Sequence, residues 1–181
     1  MKQLITTRLR LRAWQPTDAE YLLSLESLPE IVRFLGRDAR TMATIEEAKA
    51  SIQRRRSITT QGQGIWAVEE RTSAKLVGNL LCKPVGITHQ DGSAIIEIGW
   101  HLHPSAQGNG YATEAAEAVI DYAQSCGVDT ISAFVDPLNI ASVKVCERLG
   151  MTLQVLPKHV YGQQMLHFQV MKKSPKLQDN Y

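Results

Sequence analysis

The sequence is poor in the features that mark several large classes of protein. Its three cysteines, Cys82, Cys126 and Cys146, have no C-x-x-C or paired histidine spacing, so neither a disulfide framework nor a structural zinc site is expected. No stretch approaches the roughly 20 apolar residues of a membrane helix, and the N-terminus lacks the apolar core of a secretion signal. We therefore expect a protein of the reducing cytoplasm, neither exported nor inserted in a membrane.

The chain also carries little net charge. Lysine and arginine number 20 and aspartate and glutamate 18, and the resulting formal charge of +2 gives no footprint for nucleic-acid binding. Apolar residues, in contrast, make up 44% of the 181 residues, which is enough for one sizeable core. We expect a single domain over residues 1–172, followed by a loose polar tail over 173–181.

The order of the elements follows from apolar periodicity and turn residues. Alternation over 9–13 predicts a first strand, and a helix is expected to follow Asp18 and to end near Leu28, before Pro29. Thr44 and Glu47 have the spacing of a capping box at the start of a second helix. Three apolar runs over 65–68, 75–81 and 94–102 predict an antiparallel meander. Further elements are a helix over 111–124, a strand over 130–135, a helix over 139–149, and closing strands over 153–156 and 163–171.

This order is β-α-α-β-β-β-α-β-α-β-β. It predicts an α/β chain, α+β in type, whose central sheet is mixed, mostly antiparallel and twisted, with helices on both faces. Two groups of arginines are interpreted as exposed. Arg8, Arg10 and Arg12 alternate with apolar residues and are expected to face solvent or a ligand. The run at 54–56 is interpreted as a solvated helix end.

The segment Gln107-Gly108-Asn109-Gly110-Tyr111-Ala112-Thr113 joins a predicted strand to a predicted helix. Glycines let the backbone approach a ligand closely, and the N–H groups at a helix N-terminus favour negative charge. The segment is therefore either a phosphate cradle or a glycine turn that caps a helix. It lacks the Gly-Lys-Ser/Thr of a P-loop and ends in Thr where the dinucleotide fingerprint needs Gly or Ala. Asp136, after the next strand, keeps a nucleotide-dependent oxidoreductase open as an alternative.

The pattern Gln107-x-x-Gly110-x-Ala112 resembles the Q/R-x-x-G-x-G/A motif of the GNAT family of N-acetyltransferases. Further segments are similar to its Rim-type branch, the enzymes that acetylate the N-termini of ribosomal proteins; they are residues 7–12, 97–102, 111–115, 139–142 and 147–151. The resemblance implies the GNAT fold and direct transfer of an acetyl group from acetyl-CoA to a primary amine. The amine would belong to a protein N-terminus or a small molecule, and no bound metal is expected.

The same resemblance implies a role for each matching residue. The backbone amides of the loop would hold the pyrophosphate of acetyl-CoA; they belong to Gly108, Asn109, Gly110, Tyr111, Ala112 and Thr113, with Gln107 at the first position of the motif. The backbone of Leu102 would pair with pantetheine and direct an N–H at the thioester oxygen. Asn139 and Ser142 would face the pantetheine and sulfur end.

Two side chains are the candidates for proton transfer. An aliphatic amine attacks only when neutral, and with a pKa of about 10.4 it is mostly protonated at pH 7. Glu97 is the candidate base, with His101 as a second; the alternative is a carboxylate satisfied by an arginine or a backbone group. Many relatives place Tyr seven residues after the Asn of the motif, where this sequence has Cys146. Ser142 is therefore the candidate acid and Tyr111 a weaker one, with helix-terminal hydrogen bonding as the alternative for Ser142.

The acceptor amine is not identified by the sequence. In this family the acceptor is set by the first two helices and their loop, roughly residues 18–60, and by the last strands. Residues 1–60 hold 11 basic against seven acidic residues, and this surplus disfavours a polycationic acceptor and permits an acidic or neutral one. The remainder, which holds the glycine loop, has nine basic against 11 acidic residues, so backbone N–H groups are expected to bind the phosphates. A non-catalytic acyl-CoA-binding module is a further alternative to an enzyme. The protein is expected to be a monomer or a homodimer.

Overall fold

The computed structural model describes residues 1–36, 39–89, 91–155 and 158–172. The described residues form nine strands, which are β1 (Leu4–Ile5), β2 (Leu9–Ala13), β3 (Gly64–Glu70), β4 (Leu76–Thr88), β5 (Ala94–Leu102), β6 (Thr130–Val135), β7 (Thr152–Leu153), β8 (Lys158–Val160) and β9 (Gln163–Met171). They also form five α-helices, which are α1 (Ala19–Glu26), α2 (Pro29–Val32), α3 (Ile45–Arg56), α4 (Tyr111–Ser125) and α5 (Ile140–Arg148).

The strands belong to one sheet of mixed direction. Their spatial order is β1-β2-β3-β4-β5-β6-β9-β7, and β8 pairs with β9 off this path. Among the described residues, every pairing is antiparallel except the one between β5 and β6. The predicted mixed, mostly antiparallel sheet is confirmed, and its one parallel pair lies where a helix, α4, connects two neighbouring strands.

Helices cover both faces of this sheet. On β3, Trp66 and Val68 belong to the cluster formed with the apolar face of α4. Ala67, between them, belongs to a second cluster with Leu22 of α1 and Ile52 of α3. Because successive side chains of a strand point to opposite faces, α4 lies on one face and α1 with α3 on the other. The predicted two-sided arrangement is confirmed.

Two helices begin and pack as their sequences predict. The hydroxyl of Thr44 accepts from the backbone N–H of Glu47, and the Glu47 carboxylate accepts from the backbone N–H of Thr44, which completes the predicted capping box. In α4 the predicted apolar stripe is buried along its whole length; its members are Ala112, Ala115, Ala116, Val119, Ile120 and Ala123. This stripe fixes the orientation of α4 and therefore of the loop that precedes it.

Several boundaries differ from the predicted ones. Helix α1 ends at Glu26, and Pro29 begins α2 instead of only ending a helix, because proline lacks the N–H that a first helical turn leaves unused. Strand β4 extends beyond the predicted Leu81 to Thr88. The predicted strand over 153–156 overlaps β7 only at Leu153; Gln154 and Val155 are not in a strand, residue 156 lies outside the described residues, and β8 was not predicted. The predicted tail over 173–181 lies outside them too, and the single domain over 1–172 stays a prediction.

Two of the three N-terminal arginines are engaged within the sheet. Arg10 and Arg12 both form ion pairs with Glu69 of β3, and Arg12 also binds Asp18 at 2.7 Å. The expectation that they face solvent or a ligand is wrong for Arg12, whose side chain is 15% exposed, because a neighbouring strand supplies the buried carboxylate of Glu69. The side chain of Arg10 remains 43% exposed to solvent. None of the helices that the structure describes is long and apolar enough to cross a membrane.

Candidate active site

A cleft opens where β5 and β6 separate. The two strands run parallel, and their register pairs Glu97 with Ser132. Beyond this pair the five remaining residues of β5 have no partner in the described part of β6. The resulting cavity has a volume of about 1150 Å³ and is lined from both sides of the sheet, by Glu97 on the face of α1 and α3 and by Ala112 and Val145 on the face of α4 and α5. It therefore passes through the sheet.

The glycine loop borders this cleft at the start of α4. Gly108 and Gly110 have φ values of 79° and 78°, a left-handed conformation in which a residue with a side chain would be strained. Gly110 is the N-cap of α4. Its carbonyl accepts from the backbone N–H of Glu114, which forms the first hydrogen bond of the helix. The N–H groups of the preceding first turn have no intrahelical acceptor by geometry, so they are available to an anion.

An arginine from the other end of the chain reaches this loop. Arg8 Nε lies 2.7 Å from Glu114 Oε2, and its Nη1 donates to the Asn109 carbonyl at 2.9 Å. Its guanidinium carbon is 4.8 Å from the centroid of the Tyr111 ring. The sequence predicted that Arg8 faces solvent or a ligand, but nothing in the pattern placed it at the glycine loop. A positive charge therefore stands beside amides that already favour an anion.

The end of β5 is held to the same loop. The N–H of His103 donates to the Val77 carbonyl at 3.0 Å, on the β4 side. Because neighbouring N–H groups of a strand point to opposite edges, the N–H of Leu102 faces the edge from which β6 has separated. Gln107 Nε2 donates to the Leu102 carbonyl at 3.1 Å, while the Gln107 N–H bonds to Pro104. The side chain of Gln107 thus fixes Leu102 relative to the loop.

The N-terminus of α5 lines the opposite wall of the cleft. Asn139 is its N-cap, and the side-chain oxygen accepts from the backbone N–H of Ser142 at 3.1 Å. Ser142 is half-buried and lines the cleft. Cys146, one turn further, is fully buried, and burial raises the pKa of its thiol to about 12. The thiol of Cys146 therefore stays protonated at neutral pH, and the residue does not line the cavity.

Glu97 is the buried carboxylate of the cleft. Its exposed fraction is 5%, and it sits opposite Lys83 of β4 in the register of the sheet. Burial raises its pKa to about 7, while the Tyr161 hydroxyl, which donates to Oε2, and the Lys83 ammonium act in the opposite direction. A carboxyl with this pKa exists in both protonation states near neutral pH, which suits a group that accepts and releases a proton.

A second polar cluster on the same face, formed by Glu26, Arg55 and His101, was not predicted from the sequence. Arg55 forms an ion pair with Glu26 and hydrogen-bonds Asn79, and His101 Nε2 lies 3.1 Å from Glu26 Oε1. Burial alone would raise the pKa of Glu26, but His101 and Arg55 outweigh it and lower the pKa to about 2. The interpretation of 54–56 as a solvated run is wrong for Arg55, whose side chain is 11% exposed. Only packing of α1 and α3 on the sheet brings these residues together.

The two histidines near the end of β5 have separate partners. His101 faces Glu26, as described, whereas His103 Nδ1 lies 2.8 Å from Ser105 Oγ. Among the described residues, no three His, Cys, Asp or Glu side chains lie close enough together to hold a metal ion.

Comparison with known proteins identifies the type of domain. Residues 8–152 match the family model described as an acetyltransferase (GNAT) domain. The uncharacterized N-acetyltransferase YoaA of Bacillus subtilis (strain 168) is 30% identical over 161 residues, which cover 87% of this chain and 88% of YoaA. The residues that match the family model include β2, the glycine loop and α5.

Solved structures share the fold at lower identity. The spermidine N-acetyltransferase from Vibrio cholerae, in complex with CoA and spermine, has a TM-score of 0.73 at 17% identity, with 92% of this chain and 96% of that one covered. The ribosomal-protein-S5-alanine acetyltransferase from Vibrio fischeri has a TM-score of 0.71 at 16% identity, with 94% and 97% covered. Similarity at this level shows the fold, and the two structures differ in the acceptor that their names give.

Proposed function

We propose that this chain, which belongs to the GNAT acetyltransferase family, transfers an acetyl group directly from acetyl-CoA to a primary amine. In this proposal Glu97 is the base and Ser142 is the proton donor. The amine belongs to a protein N-terminus or to a small molecule. The observation that carries the proposal is the place of Glu97, buried in the gap between β5 and β6, on the face opposite the glycine loop. Donor and acceptor can then approach this gap from the two faces of the sheet.

The residues on the α4 face fit acetyl-CoA. The backbone N–H groups from Gly108 to Thr113 and the Arg8 guanidinium would hold its pyrophosphate, since both supply positive potential at one helix N-terminus. The Leu102 N–H, directed into the gap, would bond the thioester oxygen. Gln107 contributes by holding Leu102. Acetyl-CoA supplies the activated acetyl group, and no metal is needed for that chemistry.

Glu97 acts as the base. The acceptor amine arrives mostly protonated, because its pKa of about 10.4 lies well above neutral pH. The ionised form of Glu97 takes this proton directly or through water, and the pKa of about 7 keeps a large fraction of that form available at pH 7. The Tyr161 hydroxyl donates a hydrogen bond to Oε2 of this carboxylate.

Ser142 is the donor for the departing thiolate, whose basicity resembles that of a cysteine, with a pKa of about 8.5. Its hydroxyl relays a proton to the thiolate and is restored by the proton that the attacking nitrogen loses as the amide forms. Its backbone N–H is bound to Asn139, which fixes the residue at the wall of the cleft. Tyr111 is the poorer candidate because its hydroxyl already donates to Glu70. Asn139 therefore contributes by positioning Ser142.

The acceptor side of the cleft suits a neutral or acidic amine better than a polyamine. Two of its acidic residues are engaged, since Glu26 is paired with Arg55 and Glu97 accepts from Tyr161, and Glu30 is the third. Lys83 and Arg54 line the same cavity and add positive charge. A polyamine would meet these cations with few carboxylates to bind its ammonium groups. This chain is therefore expected to differ from the spermidine N-acetyltransferase whose fold it shares.

The test is an acceptor panel with acetyl-CoA, in which release of the CoA thiol is measured. The panel contains peptides with free N-termini, single amino acids, amine antibiotics and polyamines. Transfer to peptides or other non-polyamine amines, and its loss in Glu97→Gln at pH 7, is the expected result. Polyamines as the best acceptors would overturn the assignment of acceptor class. Full turnover by Glu97→Gln across pH 6–9 would remove Glu97 as the base.

The same protein separates the remaining alternatives. Acetyl-CoA should raise the melting temperature by mass action, whereas NAD should not. A protein stabilised by acetyl-CoA that releases no thiol with any amine would be a non-catalytic binding module. The cytoplasmic location and the monomeric or homodimeric state stay predictions.

A further inference from the structure

The turn between β8 and β9 brings a tyrosine to Glu97 in an unusual backbone conformation. Tyr161 and Gly162 have φ values of 55° and 76°, the left-handed pair of a type I′ hairpin turn. Glycine or asparagine normally occupies the first of these positions, because a bulky side chain is strained there. A bulky residue in such a conformation persists only where its surroundings hold it, and such strain clusters at functional sites.

The surroundings of Tyr161 hold it over the cleft. Its hydroxyl donates to Glu97 Oε2, 64 residues away in the sequence. Its Cβ packs against the backbone of Gly36, after α2, so closely that a Cβ built on Gly36 would lie 2.8 Å from the Tyr161 Cβ. The tyrosine is thus fixed at both ends, by a glycine on the acceptor side and by the carboxylate at the gap.

We propose that Tyr161 is a positioning residue, which orients the Glu97 carboxylate at the gap and favours its proton-accepting form. This inference rests on the proposed function, because it assigns a role relative to Glu97 as the base. An O–H that donates to a carboxylate stabilises the ionised form. Burial raises the pKa of Glu97 and the hydrogen bond from Tyr161 lowers it. The hydroxyl therefore increases the fraction of Glu97 that is ionised at neutral pH.

Other charged and titratable groups near Glu97 act more weakly or are neutral. Lys83 of β4 favours the ionised form, and Cys82, next to it, is buried with a thiol pKa of about 12 and is uncharged at neutral pH. On the β6 side, Glu97 is paired in register with Ser132, which carries no charge. The remaining ionisable groups that α1, α2 with its C-cap, α3 and β5 place along this side of the cavity are Glu26, Glu30, Arg33, Arg54, Arg55 and His101. Tyr161 is the group that hydrogen-bonds the carboxylate.

The variant that isolates this contact is Tyr161→Phe, which removes the hydroxyl and keeps the ring. The titration of Glu97 is followed by carbon NMR of labelled glutamate carboxyls, with Glu97→Gln identifying the signal. We expect the midpoint to rise by about one pH unit or more, so that kcat/KM at pH 7 falls at least about fivefold and recovers towards pH 9. The KM for acetyl-CoA should not change.

The matched control is Tyr122→Phe, which removes a tyrosine hydroxyl on α4 beside Trp66 and should change neither measurement. A second variant, Gly36→Ala, displaces Tyr161 while keeping its hydroxyl and should shift the profile in the same direction. Unchanged Glu97 midpoints in both Tyr161→Phe and Gly36→Ala would overturn the proposal. Wild-type protein that is inactive with every amine would refute the proposed function. The NMR titration needs no acceptor amine, so it would still decide whether Tyr161 changes the titration of Glu97.

Discussion

Arg8 and Glu114 lie 106 residues apart in the sequence and form a two-point contact in the fold. Arg8 Nε is 2.7 Å from Glu114 Oε2, and the Arg8 backbone N–H donates to Oε1 at 2.8 Å. Glu114 occupies the first turn of α4, where a carboxylate is favoured by the helix dipole. The contact joins the N-terminal strand to the glycine loop and places a guanidinium at the proposed pyrophosphate site.

We expect Arg8→Gln to weaken binding of acetyl-CoA. The Arg8 side chain is 47% exposed, so its charge is partly screened; a contribution of up to about 1 kcal/mol corresponds to a loss of roughly fivefold in affinity. Isothermal titration calorimetry at low salt measures the loss, and the difference from wild type should shrink at high salt. Arg10→Gln is the control, because Arg10 pairs with Glu69. Equal affinities of Arg8→Gln and wild type at low salt would contradict the assignment.

Glu97 should make the stability of the protein dependent on pH. Its pKa is raised by burial from 4.5 to about 7 in the folded state, so its stabilising contribution is complete below pH 4.5 and is lost as the pH rises through 7. Between pH 5 and 8 the wild type should lose about 3 kcal/mol of unfolding free energy relative to Glu97→Gln. Urea denaturation at each pH measures this difference. Parallel pH curves for the two proteins would show that Glu97 is not titrating in this range.

Ser142→Ala should lower kcat by at least about tenfold, within the range of general acid catalysis, with a smaller effect on the KM for acetyl-CoA. Cys146→Ala is the comparison, because Cys146 occupies the usual tyrosine position but is fully buried. Its kcat should equal that of the wild type in steady-state assays on folded protein. A tenfold loss in Cys146→Ala with full activity of Ser142→Ala would exchange the two assignments.

The buried pair of Glu26 and Arg55 predicts an asymmetric effect on stability. Arg55→Met leaves the Glu26 carboxylate buried beside His101 without its guanidinium, and we expect a loss of about 3 kcal/mol of unfolding free energy at pH 7. The double variant with Glu26→Gln should recover most of this loss. Arg54→Met, at the exposed neighbouring position, should stay within about 0.5 kcal/mol of wild type. Chemical denaturation compares the three, and equal effects of Arg54→Met and Arg55→Met would contradict the structure.

Much of the fold was predictable because its signals are local. The stripe of α4 and the capping box of Thr44 and Glu47 are patterns within a few residues, and both are observed. The meander and the position of Glu97 within its last strand follow from alternation and turns. Local signals gave less at Pro29, where the same residue type can end one helix or begin the next, and the start of α2 depends on packing of the chain around it.

The residues of the candidate site also fall into two groups, those that short motifs predicted and those that only tertiary contacts bring into the site. Glu97, Leu102, the glycine loop, Asn139 and Ser142 occur in short motifs, and the structure brings them to one cleft, except that Asn109 of the loop does not line the cavity and instead contacts Arg8, Ala106 and Gln107. Tyr161 and the Glu26–Arg55 pair carry no motif, since each acts through a partner on another element. A run of three arginines does not indicate which member turns inward, because that depends on how α3 packs against the sheet.

The sequence by itself determined the family, the order of most elements and the residues of the glycine loop, because those properties reside in local spacing and in contiguous motifs. It also indicated that the half of the chain with the loop had no surplus of positive charge. Only the tertiary structure decided that Arg8 supplies a cation to this loop and that Tyr161 reaches Glu97. Both contacts join residues distant along the chain, and they exist because packing of helices on a shared sheet brings their elements together.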